Sequence, residues 1–170
     1  MRGERLIQAA MQGDLAGVRE LLAGGMDINF ANSRGVTALM VACQWNRPTV
    51  VKFLLENGAD VNARETQCGL NPLMYACLSG NPRLVSLILD GNPVVDSPDA
   101  TGRSALMVAA TLGNAEAVKL LVRSGADIHF TDYAGATALD WARENGHQSV
   151  VEFFLGRFAA TDQGKGSSGK

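Results

Sequence analysis

The side chains that could act as nucleophiles, bases or soft metal ligands are two histidines and three cysteines. A neutral imidazole can move a proton or ligate zinc, and a thiolate can attack an electrophile or bind a soft metal. Cys43, Cys68 and Cys77 form an odd set without a Cys-x-x-Cys spacing, so they predict neither a disulfide framework nor a zinc site. His129 and His147 lie far from them along the chain, and no catalytic spacing joins the five.

Phosphate-binding and calcium-binding motifs are missing as well. No segment matches the Gly-x-x-x-x-Gly-Lys-Ser/Thr loop that holds phosphates. Asp96, Asp99, Asp127 and Asp132 are spread over separate segments, whereas a calcium loop draws its ligands from one short segment. The sequence therefore predicts no enzyme, no cofactor and no bound metal.

Composition narrows the class of protein. The 170 residues carry a formal net charge of -2 and are 46% hydrophobic, which is too apolar for a disordered chain. No block rich in Lys and Arg supplies the charge that nucleic-acid binding needs. No stretch approaches the ~18 consecutive apolar residues of a membrane span, and the N-terminus lacks the apolar segment of a signal peptide. We expect a cytoplasmic protein without nucleic-acid or membrane partners.

A fixed period organises the chain. An octapeptide, Gly-Val-Thr-Ala-Leu-Met-Val-Ala, begins at Gly35 and returns in related form at Gly69, Gly102 and Gly135, at intervals of 34, 33 and 33 residues. A second apolar block, Val-Val-Lys-Phe-Leu-Leu in its first full copy, follows each octapeptide, and a related block at Gly17 adds a fifth unit. Motifs that keep one register across all intervals predict a repeat architecture.

These blocks resemble those of the ankyrin repeat family, whose units of about 33 residues hold a β-turn and two helices. The resemblance covers residues 2–158 and implies an all-α solenoid of stacked helix–turn–helix units joined by β-hairpin-like loops. One unit cannot bury enough apolar surface by itself, so the stacking of neighbours must supply the core. The units are expected at residues 2–28, 29–61, 62–95, 96–128 and 129–158, followed by a flexible tail over residues 159–170.

Residue types at fixed places in each unit support this register. One position holds a good N-cap residue in every unit after the first: Thr37, Asn71, Ser104 and Thr137. Glycines follow the helices where a left-handed backbone is needed, and Asn46 and Asn92 take that place at two points. Thr137 and Asp140 have the spacing of a capping box.

The register also places the reactive side chains. His129 and His147 are expected at opposite ends of about ten helical residues. At about 1.5 Å per residue that is roughly 15 Å along the helix axis, which is too far to share a metal. Cys43 and Cys77 occupy one position in adjacent units, where helices lie about 8–10 Å apart, beyond the ~7 Å limit between Cα atoms for a disulfide. Both cysteines are expected in the core, and Cys68, at a hairpin tip, is expected to be exposed.

The hairpin that opens the third unit departs from the pattern. From Asn62 to Gly69 it is one residue longer than the preceding hairpin, which runs from Asn29 to Gly35. Its tip, residues 65–68, should therefore protrude or bulge. Arg64 and Glu65 are expected to form a solvated pair beside that tip.

The resemblance implies that partners bind the concave side, made of hairpin tips and the exposed positions of each first helix. On this side the sequence places Trp, Tyr, Arg and Leu side chains, and the first three are enriched in interface hot spots. The predicted partner-binding residues are Arg34, Trp45, Leu78, Arg103, Leu112 and Tyr133. Trp141 and Tyr75 stand at a neighbouring position, from which they could face either a partner or the core.

The sequence therefore predicts a monomeric, non-catalytic module that binds another protein as a scaffold, adaptor or inhibitor. The alternative is a regulatory or targeting domain of a larger enzyme or of a secreted effector. Two other classes fit less well. A nucleic-acid or lipid-binding module lacks its basic stripe, and an enzyme would have to rely on His129 or His147.

Overall fold

The computed structural model of the chain describes the backbone of residues 2–165 and the side chains of residues 3–157. Within residues 2–165 it contains ten α-helices, and its one β feature is an isolated antiparallel bridge between Ala31 and Thr37. The predicted all-α class is confirmed. The helices are α1 (Arg2–Gln12), α2 (Leu15–Ala23), α3 (Ala38–Gln44), α4 (Pro48–Glu56), α5 (Pro72–Leu78), α6 (Pro82–Asp90), α7 (Ala105–Thr111), α8 (Ala115–Arg123), α9 (Ala138–Glu144) and α10 (Gln148–Lys165).

The helices stand in two rows. Each odd-numbered helix contacts the next odd-numbered helix, each even-numbered helix contacts the next even-numbered one, and the two helices of each unit contact each other. This is the stacked helix–turn–helix solenoid that the repeats predict. Met40, Met74 and Met107, from one position of successive units, are fully buried between the rows. Because neighbouring units cover each other, one apolar core runs from Leu6 to Phe154.

The short odd-numbered helices depend on their caps. In a helix of seven residues most backbone N–H and C=O groups are terminal, so side chains must satisfy some of them. Every predicted N-cap side chain accepts a backbone N–H three residues further on; Thr37, for example, accepts that of Met40. The capping box of Thr137 and Asp140 is also present. Asn46 and Asn92 have φ angles of 53° and 54°, which confirms the left-handed backbone predicted there.

Polar side chains tie each unit to the one before it. One residue beyond each left-handed helix end, a side chain reaches back to the preceding unit; these residues are Arg47, Asn81, Asn114 and His147. Arg47 Nε, for example, donates to the carbonyl oxygen of Met11 at 2.9 Å. These bonds satisfy carbonyl and amide groups at the ends of the odd-numbered helices, where the intrahelical ladder stops.

One acceptor side chain closes each hairpin turn; these residues are Asn32, Glu65, Asp99 and Asp132. Asp99 Oδ1 accepts the backbone N–H of Thr101 at 2.8 Å and that of Arg103 at 3.0 Å. In the longer hairpin the acceptor is a glutamate, whose extra methylene group spans the extra residue. Its carboxylate accepts the N–H groups of Gln67, Cys68 and Leu70.

The predicted solvated pair of Arg64 and Glu65 is wrong. Glu65 is only 5% exposed, because its carboxylate turns inward to close the hairpin. The guanidinium of Arg64 instead donates to the Ser97 hydroxyl and the Pro98 carbonyl of the following hairpin. The rest of the tip, residues 66–68, is exposed.

Backbone hydrogen bonds join successive hairpin tips: Thr66 N–H to Arg34 O, Ala100 N–H to Cys68 O, and Tyr133 N–H to Thr101 O. Gly102 shows why glycine is needed beside such a bond. Its φ is 87°, and a Cβ atom there would lie 2.6 Å from the nitrogen of Tyr133. The linked tips form a continuous wall beside the odd-numbered helices.

The last helix is longer than the other even-numbered helices. It has 18 residues, whereas α2, α4, α6 and α8 have nine each. Residues 159–165, which the sequence places at the start of a flexible tail, are therefore helical. Residues 166–170 of that tail lie outside the described residues.

Candidate functional site

The six predicted partner-binding residues lie in hairpin turns or at the C-terminal ends of odd-numbered helices. The four apolar ones are exposed, from 45% at Leu78 to 77% at Tyr133. Among the side chains that the structure describes, only two other large hydrophobic residues are this exposed, Val94 and Leu155. Exposed apolar side chains are thus concentrated along the hairpin wall and the adjoining helix ends, a surface that we call the inner face.

Two of the six residues, Arg34 and Trp45, line a groove of about 410 Å³ on the inner face. Leu78, Leu112 and Tyr133 do not line it. Its walls come from α1, α3 and α5 and from the hairpins that open the second and third units. We call it the Arg34 groove, and its lining residues are Glu4, Ile7, Gln8, Met11, Asn32, Arg34, Val36, Val41, Gln44, Trp45, Glu65, Gln67 and Tyr75.

Sequence reasoning missed the part of this groove that α1 supplies. Met11 and Gln8 stand where the later units have Gln44 and Val41, so the same positions read in the first unit would have found them. The predicted binding residues came only from units that begin with a complete hairpin, and the first unit has none. Tyr75, which could have faced either way, is partly buried and lines the groove.

Charges inside the Arg34 groove influence one another. Burial raises the pKa of the Tyr75 phenol, electrostatic interactions with the neighbouring Glu65 and Cys68 raise it further, and Arg34 opposes them. Burial by itself would also raise the pKa of Glu65, but hydrogen bonds from Gln67, Leu70 and Cys68 outweigh burial and lower it. Glu65 is thus an ionised carboxylate whose oxygens already accept backbone N–H groups.

The two predicted arginines differ in their surroundings. Arg103 Nη2 lies 3.0 Å from Asp99 Oδ2, and its guanidinium carbon lies 5.9 Å from the centre of the Trp141 ring. None of the four ion pairs among the described side chains includes Arg34, which is exposed. Arg103 is therefore neutralised within its own unit, whereas Arg34 presents its charge to solvent.

Trp141 belongs to the stack. Its indole Nε1 donates to Asp132 Oδ2 at 3.0 Å, and the side chain is partly buried against the core. Asp132 also closes the last hairpin turn, so the tryptophan joins that hairpin to α9. Trp45, in contrast, is 53% exposed.

The reactive side chains do not converge. Cys43 and Cys77 are buried free thiols and Cys68 is an exposed one, as predicted. Burial raises the pKa of Cys77 to about 12, and burial followed by the neighbouring Cys77 raises that of Cys43, so neither forms a thiolate readily. His147 Nε2 lies 2.9 Å from Thr111 O, at the junction of two units. Among the described residues, no group of three or more His, Cys, Asp or Glu side chains could hold a metal ion.

Comparison with known protein families identifies the repeat. A family model described as ankyrin repeats, in three copies, matches residues 4–65 and 73–164, which is most of the chain. The chain belongs to the ankyrin repeat family. Ankyrin repeats are protein–protein interaction modules and are generally not catalytic.

Individual relatives match about half of the chain. A putative ankyrin repeat protein, YahD, of Escherichia coli K12 is 38% identical over 85 residues, which are 50% of this chain and 42% of that protein. A probable E3 ubiquitin-protein ligase, XBOS32, of Oryza sativa is 40% identical over 88 residues, 52% of this chain and 18% of the ligase. An Arf-GAP with coiled-coil, ANK repeat and PH domain of Rattus norvegicus is 38% identical over 87 residues, 50% of this chain and 11% of that protein. The chain thus spans less than half of each of these relatives.

The described helices also bear on membrane association. Within residues 2–165, no helix combines the length and the apolar character that crossing a bilayer requires.

Proposed function

We propose that this ankyrin repeat chain binds a partner protein through its inner face and does so as a scaffold, adaptor or inhibitor. The observation that carries the proposal is the concentration of exposed large apolar side chains there: Trp45, Leu78, Leu112 and Tyr133. Exposed apolar groups of this size that lie along one surface are typical of interaction sites. A stack held by bonds between units also loses little conformational entropy when a partner binds.

The alternative is a regulatory or targeting domain of a larger enzyme or of a secreted effector. The lengths of the relatives support this alternative. The matched segment is 18% of a protein named as a ubiquitin ligase and 11% of one named as an Arf-GAP. In both proposals the described residues bind a partner protein. In the second, the repeats would also connect that partner to a larger enzyme or effector. We also propose that the chain is monomeric, cytoplasmic and free of nucleic-acid partners.

The proposal is tested by affinity capture from a lysate of the source organism. We expect specific partners that the wild type retains and the double variant Trp45→Ala, Tyr133→Ala loses, while the melting temperature stays within a few degrees. The matched control is Val94→Ala, Leu155→Ala, which removes the two exposed apolar side chains outside the inner face. Retention of every partner by the first variant, or equal loss in both, would contradict binding at the inner face.

A further inference from the structure

The Arg34 groove contains a cation with no acidic partner among the described residues. Glu65, which lines the same groove, has its oxygens occupied by three backbone N–H groups of its own hairpin. Glu4 also lines the groove, from α1, but forms no ion pair with Arg34. The charge of Arg34 is therefore available to an incoming group.

The position of Arg34 is fixed by its backbone. Its N–H donates to Asn32 Oδ1 at 3.0 Å, and its carbonyl accepts the N–H of Thr66 at 2.8 Å. A ligand that pairs with the guanidinium has to order the side chain alone. The backbone ordering that usually weakens binding by a surface loop is already complete.

Neighbouring groups suit a carboxylate. Gln44 and Gln67 line the groove with exposed amides that can donate, and the Tyr75 hydroxyl can donate as well. A carboxylate accepts hydrogen bonds and pairs with a guanidinium through two parallel bonds. Aliphatic hydroxyl or amide ligands would leave the charge of Arg34 without a counter-charge.

The remaining lining of the groove is apolar. Trp45 is 53% exposed, and Met11 and Val36 are partly buried beside it. Methionine adapts its shape to different apolar partners, and tryptophan is among the strongest hot-spot residues. This part of the groove fits an aliphatic or aromatic side chain.

We propose that the Arg34 groove binds an extended protein segment that pairs an acidic side chain with Arg34 and packs an adjacent apolar side chain against Trp45 and Met11. This inference rests on the proposed binding function and specifies the chemistry of the partner. A nucleic-acid strand fits less well, since Arg34 is one cation in a groove that also contains Glu4 and Glu65.

The test is selection from a displayed library of random 16-residue peptides on the full chain. Selected peptides are then synthesised with amidated C-termini, so that any carboxylate belongs to a side chain, and titrated calorimetrically. We expect Asp or Glu next to an apolar residue in the selected peptides. Arg34→Gln should weaken their binding about tenfold or more, as is typical for loss of a charged hydrogen bond. The control is Arg83→Gln in α6, which lies outside the groove lining. It should change the peptide affinity by less than about twofold.

A charge swap makes the inference specific. Arg34→Glu should abolish binding of an acidic peptide, and replacing that peptide's acidic residue by lysine should restore much of the affinity. Glu4→Gln should strengthen binding of the acidic peptide, because it removes a like charge from the groove.

Three outcomes would overturn the inference. Peptides that need Trp45 but carry no acidic residue and tolerate Arg34→Gln would refute the charge pairing and leave the proposed function standing. Peptides indifferent to both Trp45→Ala and Tyr133→Ala would count against the inner face altogether. A library that yields no binder would show that the groove does not hold a linear segment.

Discussion

The surroundings of Arg34 and of Arg103, which we call the two halves of the inner face, contain similar residue types at different positions of the repeat. Arg34 precedes the turn glycine of its unit, whereas Arg103 follows the turn glycine of its own. Around Arg103, Asp99 closes the hairpin turn and neutralises the arginine, whose guanidinium also lies over the ring of Trp141 in α9. Around Arg34, the turn is closed by the neutral Asn32, the arginine has no acidic partner among the side chains of residues 3–157, and Trp45 is exposed. The same residue types therefore stabilise one half of the face and remain free to bind in the other.

The difference shows what decides between a structural and a binding role in a repeat. Every hairpin needs an acceptor at its closing position, and both an amide and a carboxylate oxygen satisfy the backbone there. Only the carboxylate also captures a nearby arginine. Two differences thus accompany the availability of Arg34: its turn is closed by the neutral Asn32, and it stands before the turn glycine, whereas Arg103 stands after it.

We expect the largest difference between the two halves when each tryptophan is replaced by alanine. Trp141→Ala should lower the free energy of unfolding by about 2–3 kcal/mol, since it removes partly buried aromatic surface and leaves Asp132 without one hydrogen bond. Trp45→Ala should change it by less than about 0.5 kcal/mol, because surface substitutions seldom do more. Urea denaturation followed by circular dichroism measures both. Equal losses in the two variants would mean that the halves are not different.

The sequence pattern was sufficient for the parts of this fold that recur. Thr37 and its equivalents, the left-handed asparagines and the buried cysteines follow from residue type and register, because each position has one physical task in every unit. Residue type and register did not show that Arg103 is paired and Arg34 is not. Whether Arg34 or Arg103 is paired depends on a second side chain that approaches from another part of the turn.

The longer hairpin shows the same limit. Its extra residue predicts a bulge, and the exposed residues 66–68 agree with that. The inward turn of Glu65 was missed, although glutamate at the position of Asn32 and Asp99 was a usable signal. A side chain that is longer by one methylene group, in a loop that is longer by one residue, is best explained as compensation.

Replacing Asp99 by asparagine gives the turn beside Arg103 a neutral closing residue, like Asn32 in the turn beside Arg34. The amide oxygen can still close the turn, as that of Asn32 does, but the ion pair with Arg103 is lost. We expect a loss of about 1–2 kcal/mol at pH 7, below the cost for a fully buried pair, because the arginine is about one-third exposed. Chemical denaturation of wild type and Asp99→Asn measures it.

The pH dependence of that loss identifies its origin. Burial alone would raise the pKa of Asp99, but hydrogen bonds from Thr101 and Arg103 outweigh it and lower the pKa in the folded state. Stability from a lowered pKa is present above the unfolded value near 4 and is lost as the pH falls through the folded value. The gap between wild type and variant should be constant above about pH 5 and should close in more acidic solution. A gap that persists unchanged at pH 3 would assign the loss to packing instead.

The smallest test concerns the bends between units, where the halves differ in the same way. Asn29 Oδ1 accepts the N–H of Asp60 and its amide donates to Gly58 O, whereas Asp96, at the equivalent position, accepts the N–H of Asp127 and has no amide to donate. Burial raises the pKa of Asp96; the bond from Asp127 opposes this, and the Asp127 carboxylate adds to it. Asp96→Asn should therefore stabilise the chain by about 0.5–1 kcal/mol at pH 7, through one added hydrogen bond and the removal of a like-charge contact.

The sign of the pH effect is opposite to that at Asp99. A carboxyl group whose folded pKa is raised binds its proton more tightly in the folded chain, so wild type loses stability as the pH rises from the unfolded value near 4 through the folded one. The advantage of Asp96→Asn should consequently be full at pH 7 and shrink below pH 4, as denaturation at the two pH values would show. Asn29→Asp, the matched reverse change, should cost a similar amount at pH 7. If both substitutions were neutral, an amide and a carboxylate would be equivalent at these bends, and the contrast between the halves would be confined to the hairpin turns.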